Sequence, residues 1–336
     1  MEKKQTLTQK QQYLLHLLPK LDDTLVDRML AVAKPKAPTP LRKEADAYGE
    51  LMAMVGCRSA KGQLQAMIAD FRMRKLAEAR GRPSKRAYYH AVFSGNPGCA
   101  KTTCARLYAK ILAKEGITKK DHFVELCRSS IVGQYVGSTA QKVRDIFQKY
   151  AGGLLFVDEA YSLCDGGPGS NNDYGEEAIN EMILCLENYP ETVVIFAGYP
   201  DKMAEFLDSN PGLSSRIPFR VEFDDYSAQE LVAISQVIAG EQGYEISPEA
   251  KEKLFAIYEA ARAEKNFGNG RYARNLVEAA VRSKGIHLGI MENWNPERFL
   301  DSSVYPDEAI FSLDESCFAA VSPPPQEIRR KIGFCF

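Results

Sequence analysis

Eight residues decide most of what this chain can become. A short apolar run, Ala91–Ser94, reads as a strand and leads directly into Gly95-Asn96-Pro97-Gly98-Cys99-Ala100-Lys101-Thr102. A helix opens there, with Cys104, Leu107, Tyr108, Ile111 and Leu112 on one face and Gly116 as its stop. Small residues between a strand and a helix let successive backbone N–H groups wrap an anion at the helix N-terminus. Lys101 adds a point charge suited to β- and γ-phosphates, and the Thr102 hydroxyl, with Thr103 beside it, is placed to ligate Mg²⁺. A turn with no ligand would have no use for Lys-Thr at that spot. Ala100 stands where the pattern GxxxxGK[ST] has its last glycine, and because it carries a Cβ its φ is expected to be negative.

Fifty-seven residues beyond Lys101, the run Leu154–Val157 ends in Asp158-Glu159. Carboxylates are seldom set at the end of a core strand without a task. Asp158 is suited to hold Mg²⁺ through water, and Glu159 to polarise a water that attacks the γ-phosphate. The plain alternative is a strand that exits into solvent. With the loop upstream, hydrolysis is the expected chemistry, ahead of transfer to a small acceptor.

Further strands are expected at Phe123–Leu126, Thr192–Ala197 and Phe219–Phe223, with a helix between the second and third strands that Ser138-x-x-Gln141 would cap. Apolar strands alternating with helices imply an α/β domain with a parallel sheet covered on both faces. Helix starts at Ser227-x-x-Glu230 and Ser247-Pro248-Glu249 open a purely helical stretch. The expected organisation is a helical extension with a Pro-rich linker (1–43), the α/β domain (44–223), an all-α lid (224–292) and an irregular tail (293–336) with a short helix capped at Ser312-x-x-Glu315.

The 43 Lys+Arg against 44 Asp+Glu leave a net charge of −1, which gives no support to bulk nucleic-acid or membrane-surface binding. No apolar run approaches the roughly 20 residues a bilayer span needs, and the N-terminal stretch does not read as a secretory signal. The eight cysteines include no CxxC pair and none at metal-ligand spacing to a histidine, so they read as reduced, largely buried residues of a cytoplasmic protein. Cys99 sits at a helix N-terminus inside the loop, where a thiolate would be stabilised, but the favoured reading is a small filler.

The strings GNPGCAKTT, Ser130-Ile131-Val132-Gly133-Gln134-Tyr135-Val136-Gly137, LLFVDEAYSL and Asn210-Pro211-Gly212-Leu213-Ser214-Ser215-Arg216 resemble the AAA+ ATPases, over about residues 44–292. Within them they resemble the subgroup of stage V sporulation protein K-like ATPases and red-type Rubisco activases. The resemblance implies a P-loop AAA+ domain followed by a small helical lid, and a homo-oligomeric ring, usually a hexamer, with ATP and Mg²⁺ at subunit interfaces and a protein substrate pulled at a central pore. It assigns Gln134, Tyr135 and Val136 to the first pore loop and Asp165–Gly175 to the second, although Tyr135 could instead pack under its own loop and the second segment could be a plain surface loop. It makes Arg216 the arginine finger reaching a neighbour's γ-phosphate, with Arg220 as competitor. Arg271 matches the lid arginine that contacts phosphates, with Arg274 as second choice, and the segment around Val55 and Gly56 lines the adenine pocket. Tyr199 stands where many relatives have a polar sensor.

Two function classes follow: a remodeller that pulls on a protein partner, or a switch or scaffold in which ATP binding drives assembly and hydrolysis resets it. Glu159 and Arg216 together favour the first. A small-metabolite kinase would need neither Arg216 nor the pore-loop pattern. No residue identifies the partner or a regulating metabolite.

Overall fold

The structure, a computed structural model, describes residues 46–83, 87–133, 135, 137–164, 173–264, 267–290 and 295–319. The expected N-terminal extension, Gln134, Val136 and 165–172 of the segment expected as the second pore loop lie outside the described residues.

Five strands form one parallel sheet: β1 (Ala91–Gly95), β2 (Phe123–Leu126), β3 (Leu154–Val157), β4 (Val193–Gly198) and β5 (Phe219–Phe223), in the order β2-β3-β4-β1-β5. Burial follows position in that order. Every residue of β3 and β4 is buried, as in strands covered on both faces, whereas edge strand β5 alternates. Register brings the C-terminal ends of the middle strands level, with Ser94 of β1 beside Gly198 of β4 and Val157 of β3 beside Phe196. Segments far apart in sequence therefore meet at one edge, where ligands bind in open α/β sheets.

Helices α1 (Ala47–Ala53) and α2 (Arg58–Ala79) precede the sheet. Helix α3 (Lys101–Glu115) buries Cys104, Leu107, Tyr108, Ile111 and Leu112, the face expected from their spacing. Gly116 (φ 82) ends it, its N–H reaching the carbonyls of Leu112 and Ala113. Then come α4 (Arg128–Ile131), α5 (Ser138–Lys149), α6 (Asp173–Asn188), α7 (Pro200–Asp208) and α8 (Pro211–Arg216). Ser138 does not cap α5. The cap is Gly137 (φ 77), and Ser138 Oγ turns back to donate to the Tyr135 carbonyl at 2.6 Å.

The lid is built on α9 (Ala228–Glu241), α10 (Pro248–Ala261) and α11 (Asn269–His287). Ser227 and Glu230 form the expected capping box, and Ser247 Oγ accepts from Ala250 N–H at 3.2 Å. Between α9 and α10 lies β6 (Glu245–Ile246). After it in the chain come α12 (Pro296–Leu300), α13 (Asp307–Phe311) and β7 (Ser312–Leu313). Strand β7 pairs with β6, so Ser312 opens a strand and no capping box forms; Asp314 caps the 3₁₀ turn Glu315–Phe318 instead. Leu313, Cys317 and Phe318 are fully or almost fully buried in the same apolar cluster as the lid helices. Burying side chains of the size of Leu313 and Phe318 is worth about 1.5–3 kcal/mol each, enough to hold this stretch against the lid.

Candidate functional site

The loop between β1 and α3 makes its turn with two left-handed residues, Gly98 (φ 74) and Ala100 (φ 62, ψ 23). Ala100 thus departs from the negative φ expected of a residue with a Cβ. The reason is geometric: the chain must reverse in the residue just before the helix, and consecutive amides turned inward need a left-handed step, which costs an L-residue roughly 1–2 kcal/mol. Lys101 Nζ spans the loop, donating to the carbonyls of Gly95 at 2.7 Å and Asn96 at 2.8 Å. Burial lowers its pKa, while the nearby Asp158 carboxylate works in the opposite sense.

A cavity of about 640 Å³ opens at this edge of the sheet. Its polar lining includes Lys101, Thr102, Thr103, Asp158, Glu159, Glu241, Arg271 and Arg274, beside Pro97, Gly98 and Ala100 of the loop. Its apolar lining includes Met54, Val55, Tyr226, Ile234, Val237 and Ile238. A cavity that combines cationic, hydroxyl and carboxylate groups with apolar surface suits a nucleotide. Both lid arginines face it, so the choice between Arg271 and Arg274 stays open. Gly56 (φ 65) lies behind Val55, where a Cβ would come within 2.7 Å of the Tyr226 ring. Lys61 ties down the segment before it, donating to Met52 O at 3.0 Å and to Met54 O.

Asp158 and Glu159 follow β3 and are both exposed toward the cavity. Glu159 N–H donates to Asp158 Oδ1 at 3.1 Å, and Glu159 itself is left-handed (φ 49, ψ 45). Burial first, and then the nearby Glu159 carboxylate, push the pKa of Tyr161 up. Tyr161 and Tyr199, which also line the cavity, have ring centroids 5.9 Å apart.

Asn96 and Cys99 face away from the cavity wall, toward Asp225. Of the two readings of Cys99 the favoured one, a small filler, fits: the side chain is buried, and burial together with the Asp225 carboxylate pushes its pKa up to about 12. Desolvation outweighs the helix N-terminus. The lowered thiol nearby is Cys57, brought down to about 7 chiefly by a hydrogen bond with Cys104. Arg216 ends α8 away from this cavity, with Nε 2.9 Å from Glu187 Oε1. Arg220 is exposed on β5. Tyr135 is 75% exposed, which excludes packing under its own loop; the backbone there is held by Ser138 and by Lys142, whose Nζ donates to Ser129 O and Val132 O. Sequence reasoning missed Lys61, Tyr161, Asp225 and Asn269. Only the Asp-Asp-Tyr run following β5, and an Asn ahead of Gly-Arg, hinted at them.

These features define a P-loop nucleotide-binding domain with a helical lid. Residues 91–224 match the family described as ATPase family associated with various cellular activities (AAA), and 227–299 match the AAA lid domain. The chain is 38% identical to Stage V sporulation protein K of Bacillus subtilis (strain 168), over 77% of this chain and 80% of that protein. It is 40% identical to the chloroplastic ribulose bisphosphate carboxylase/oxygenase activase of Cyanidioschyzon merolae, over 68% of this chain and 77% of that one. A solved FIGL-1 AAA domain shares the fold, with a TM-score of 0.54 at 16% identity over 90% of this chain and 89% of that one. The chain belongs to the AAA+ ATPases, in the group of stage V sporulation protein K and the red-type Rubisco activases. As a member of that family it is an ATPase. Among the described residues no helix is long and apolar enough to cross a membrane.

Proposed function

We propose that this chain is a ring-forming ATPase, a hexamer in the manner of its family, that remodels a protein partner by gripping it with Tyr135. The observation that carries the reading is the place of Arg216. The cavity has a loop, two carboxylates and lid arginines of its own, while this arginine ends a short helix elsewhere, where a neighbouring copy's cavity could receive it. Lys101 and the loop amides of residues 96–102 bind the phosphates of ATP, and the slot around Val55 and Gly56 takes the base. Thr102 and Asp158 hold Mg²⁺. No group of three or more His, Cys, Asp or Glu among the described residues is arranged to hold a metal, which suits an ion bound by one hydroxyl, one carboxylate and the phosphates themselves. Bound there, Mg²⁺ would supply charge neutralisation on the phosphate oxygens. Glu159 polarises water for in-line attack, and Arg216 of the adjacent copy places positive charge where the transition state gathers negative charge. The exposed ring of Tyr135, on a loop braced from below, offers contact area at low entropy cost. The balance of 43 Lys+Arg against 44 Asp+Glu fits work on a protein rather than on nucleic acid.

The test is ATP turnover against protein concentration, with mass by light scattering, for the parent, Glu159→Gln, Arg216→Ala and an equal mixture of the two variants. Each variant alone should lose at least about 100-fold. The mixture should recover activity, because some interfaces then pair an intact cavity with an intact arginine. Turnover proportional to monomer, or no recovery on mixing, would sink the ring mechanism and favour the assembly switch.

A further inference from the structure

Asp225, in the four-residue junction (224–227) between β5 and α9, is bonded to both sides of that junction. Its carboxylate accepts from Asn96 Nδ2 of the loop at 3.1 and 3.0 Å, one contact to each oxygen, and from Cys99 Sγ at 3.5 Å. On the lid side it accepts from Asn269 Nδ2 at 2.7 Å. Asn269 is wholly buried and left-handed (φ 46), a conformation Asn tolerates better than most residues. Its Oδ1 accepts from Tyr226 N–H at 3.0 Å and its Nδ2 also approaches the Pro97 carbonyl at 3.3 Å. The next residue, Gly270, donates its N–H to Gly98 O at 3.2 Å, and the one after that is Arg271.

We propose that Asp225 is a positioning residue that locks the phosphate loop to the start of α11 and thereby sets where Arg271 stands over a bound nucleotide. The proposal rests on the reading of the cavity as an ATP site. Asp225 is not part of the cavity wall, so it acts on nucleotide only through these neighbours. A staple for the hinge alone would need partners on the lid, whereas this carboxylate engages two loop residues and a lid residue with the same two oxygens. All its partners are donors. A carboxylate offers about four acceptor positions, but asparagine offers one acceptor oxygen and an NH₂ that would face a donor.

The test measures the Kd of a fluorescent ADP analogue, the KM for ATP and the thermal midpoint in the full chain. Asp225→Asn should raise Kd and KM about tenfold, the worth of one charge-assisted hydrogen bond. In an Arg271→Ala background the same substitution should change Kd by less than about twofold, since its effect runs through Arg271. Asn96→Ala removes only the loop side of the lock and keeps the loop backbone; it should raise Kd about threefold or more in the parent and by less than about twofold in the Arg271→Ala background. An equal tenfold loss in both backgrounds, or no change in either, overturns the proposal. Should Asp225→Asn fail to fold, Asn96→Ala decides: a raised Kd that the Arg271→Ala background abolishes supports the lock, and a parental Kd or an equal loss in both backgrounds overturns it. A parent that binds no nucleotide would instead sink the ATP-site reading.

Discussion

Gly98→Ala separates backbone strain from collision in a way the structure makes quantitative. Gly98 sits at φ +74, so any L-residue there carries roughly 1–2 kcal/mol of left-handed cost. Its added Cβ would also be driven into the Gly268 carbonyl oxygen and lie 2.7 Å from the Arg271 amide nitrogen. Both neighbours are backbone of the lid, which cannot rotate aside like a side chain, so overpacking adds about 1–3 kcal/mol. Gly116 supplies the control: it sits at φ +82, yet a Cβ there meets nothing within 4 Å. Gly116→Ala therefore carries the first cost alone. At about 2 °C per kcal/mol for a domain of this size, Gly98→Ala should unfold roughly 4–10 °C below the parent and Gly116→Ala roughly 2–4 °C below. The assay is thermal unfolding with and without ADP. Only Gly98→Ala should also lose the stabilisation that ADP confers, because the collision pushes the lid off the loop. Equal midpoints for the two variants, with the ADP shift intact in both, would refute the close approach of loop and lid.

Two further outcomes follow from the titratable groups. His90 is buried, with Nδ1 accepting from Val194 N–H at 3.2 Å, and burial lowers its pKa to about 4. Because the unfolded chain takes up a proton at His90 below its ordinary pKa near 6.5 while the folded one stays neutral, stability is full at neutral pH and lost as pH falls from 6.5 toward 4. That loss is roughly 3 kcal/mol at about 1.4 kcal/mol per pH unit. His90→Asn keeps an acceptor for Val194 and should flatten this limb in urea midpoints measured from pH 7 to 4; parallel curves would count against the assignment. Among the described cysteines, iodoacetamide at neutral pH should label Cys127 first, since it is exposed and its pKa is lowered chiefly by the Ser129 hydroxyl, and Cys99 among the last. Mass-mapped labelling in which Cys99 leads would restore the thiolate that burial argues against.

What could be read in the sequence was local. The strands stood out as apolar runs between glycines, and the loop as a spacing of residue types within one turn. Asp158 could be placed because it ends such a run, and the parallel order then brings it level with β1. The lid caps at Ser227 and Ser247 are also short-range bonds. The misreadings share a different origin. Ser138 and Ser312 satisfy the capping pattern, but Gly137 already turns the chain at the first and pairing with β6 extends it at the second. The helix terminus at Cys99 pointed locally to a thiolate, the less favoured of its two readings, whereas its pKa is set by burial and by a carboxylate 126 residues away. The Asp225–Asn269 contact has no local signature, since it exists only once the loop and the lid have met.

The strained residues show what those long-range contacts hold in place. Four non-glycine residues among those described have positive φ: Cys57, Ala100, Glu159 and Asn269. Ala100 and Glu159 line the cavity, Asn269 precedes the lining Gly270, and Cys57 follows the Val55–Gly56 segment. Such conformations persist only where the surroundings over-determine them. For Glu159 the benefit can be stated in atoms. Successive side chains of an extended strand point to opposite faces, so a continued β3 would turn Asp158 and Glu159 apart. The left-handed step at Glu159 breaks that alternation, and both carboxylates line one cavity. Ala100 does the same for amides, turning the chain so that α3 begins at Lys101, whose Nζ lies across the loop. Asn269 accepts its strain in order to bond Tyr226, Asp225 and Pro97 together, and the packing of loop, sheet end and lid keeps all of them from relaxing. A change that loosens the lid should therefore be felt first at the loop, which meets the lid directly through Pro97, Gly98 and the Asp225–Asn269 contact.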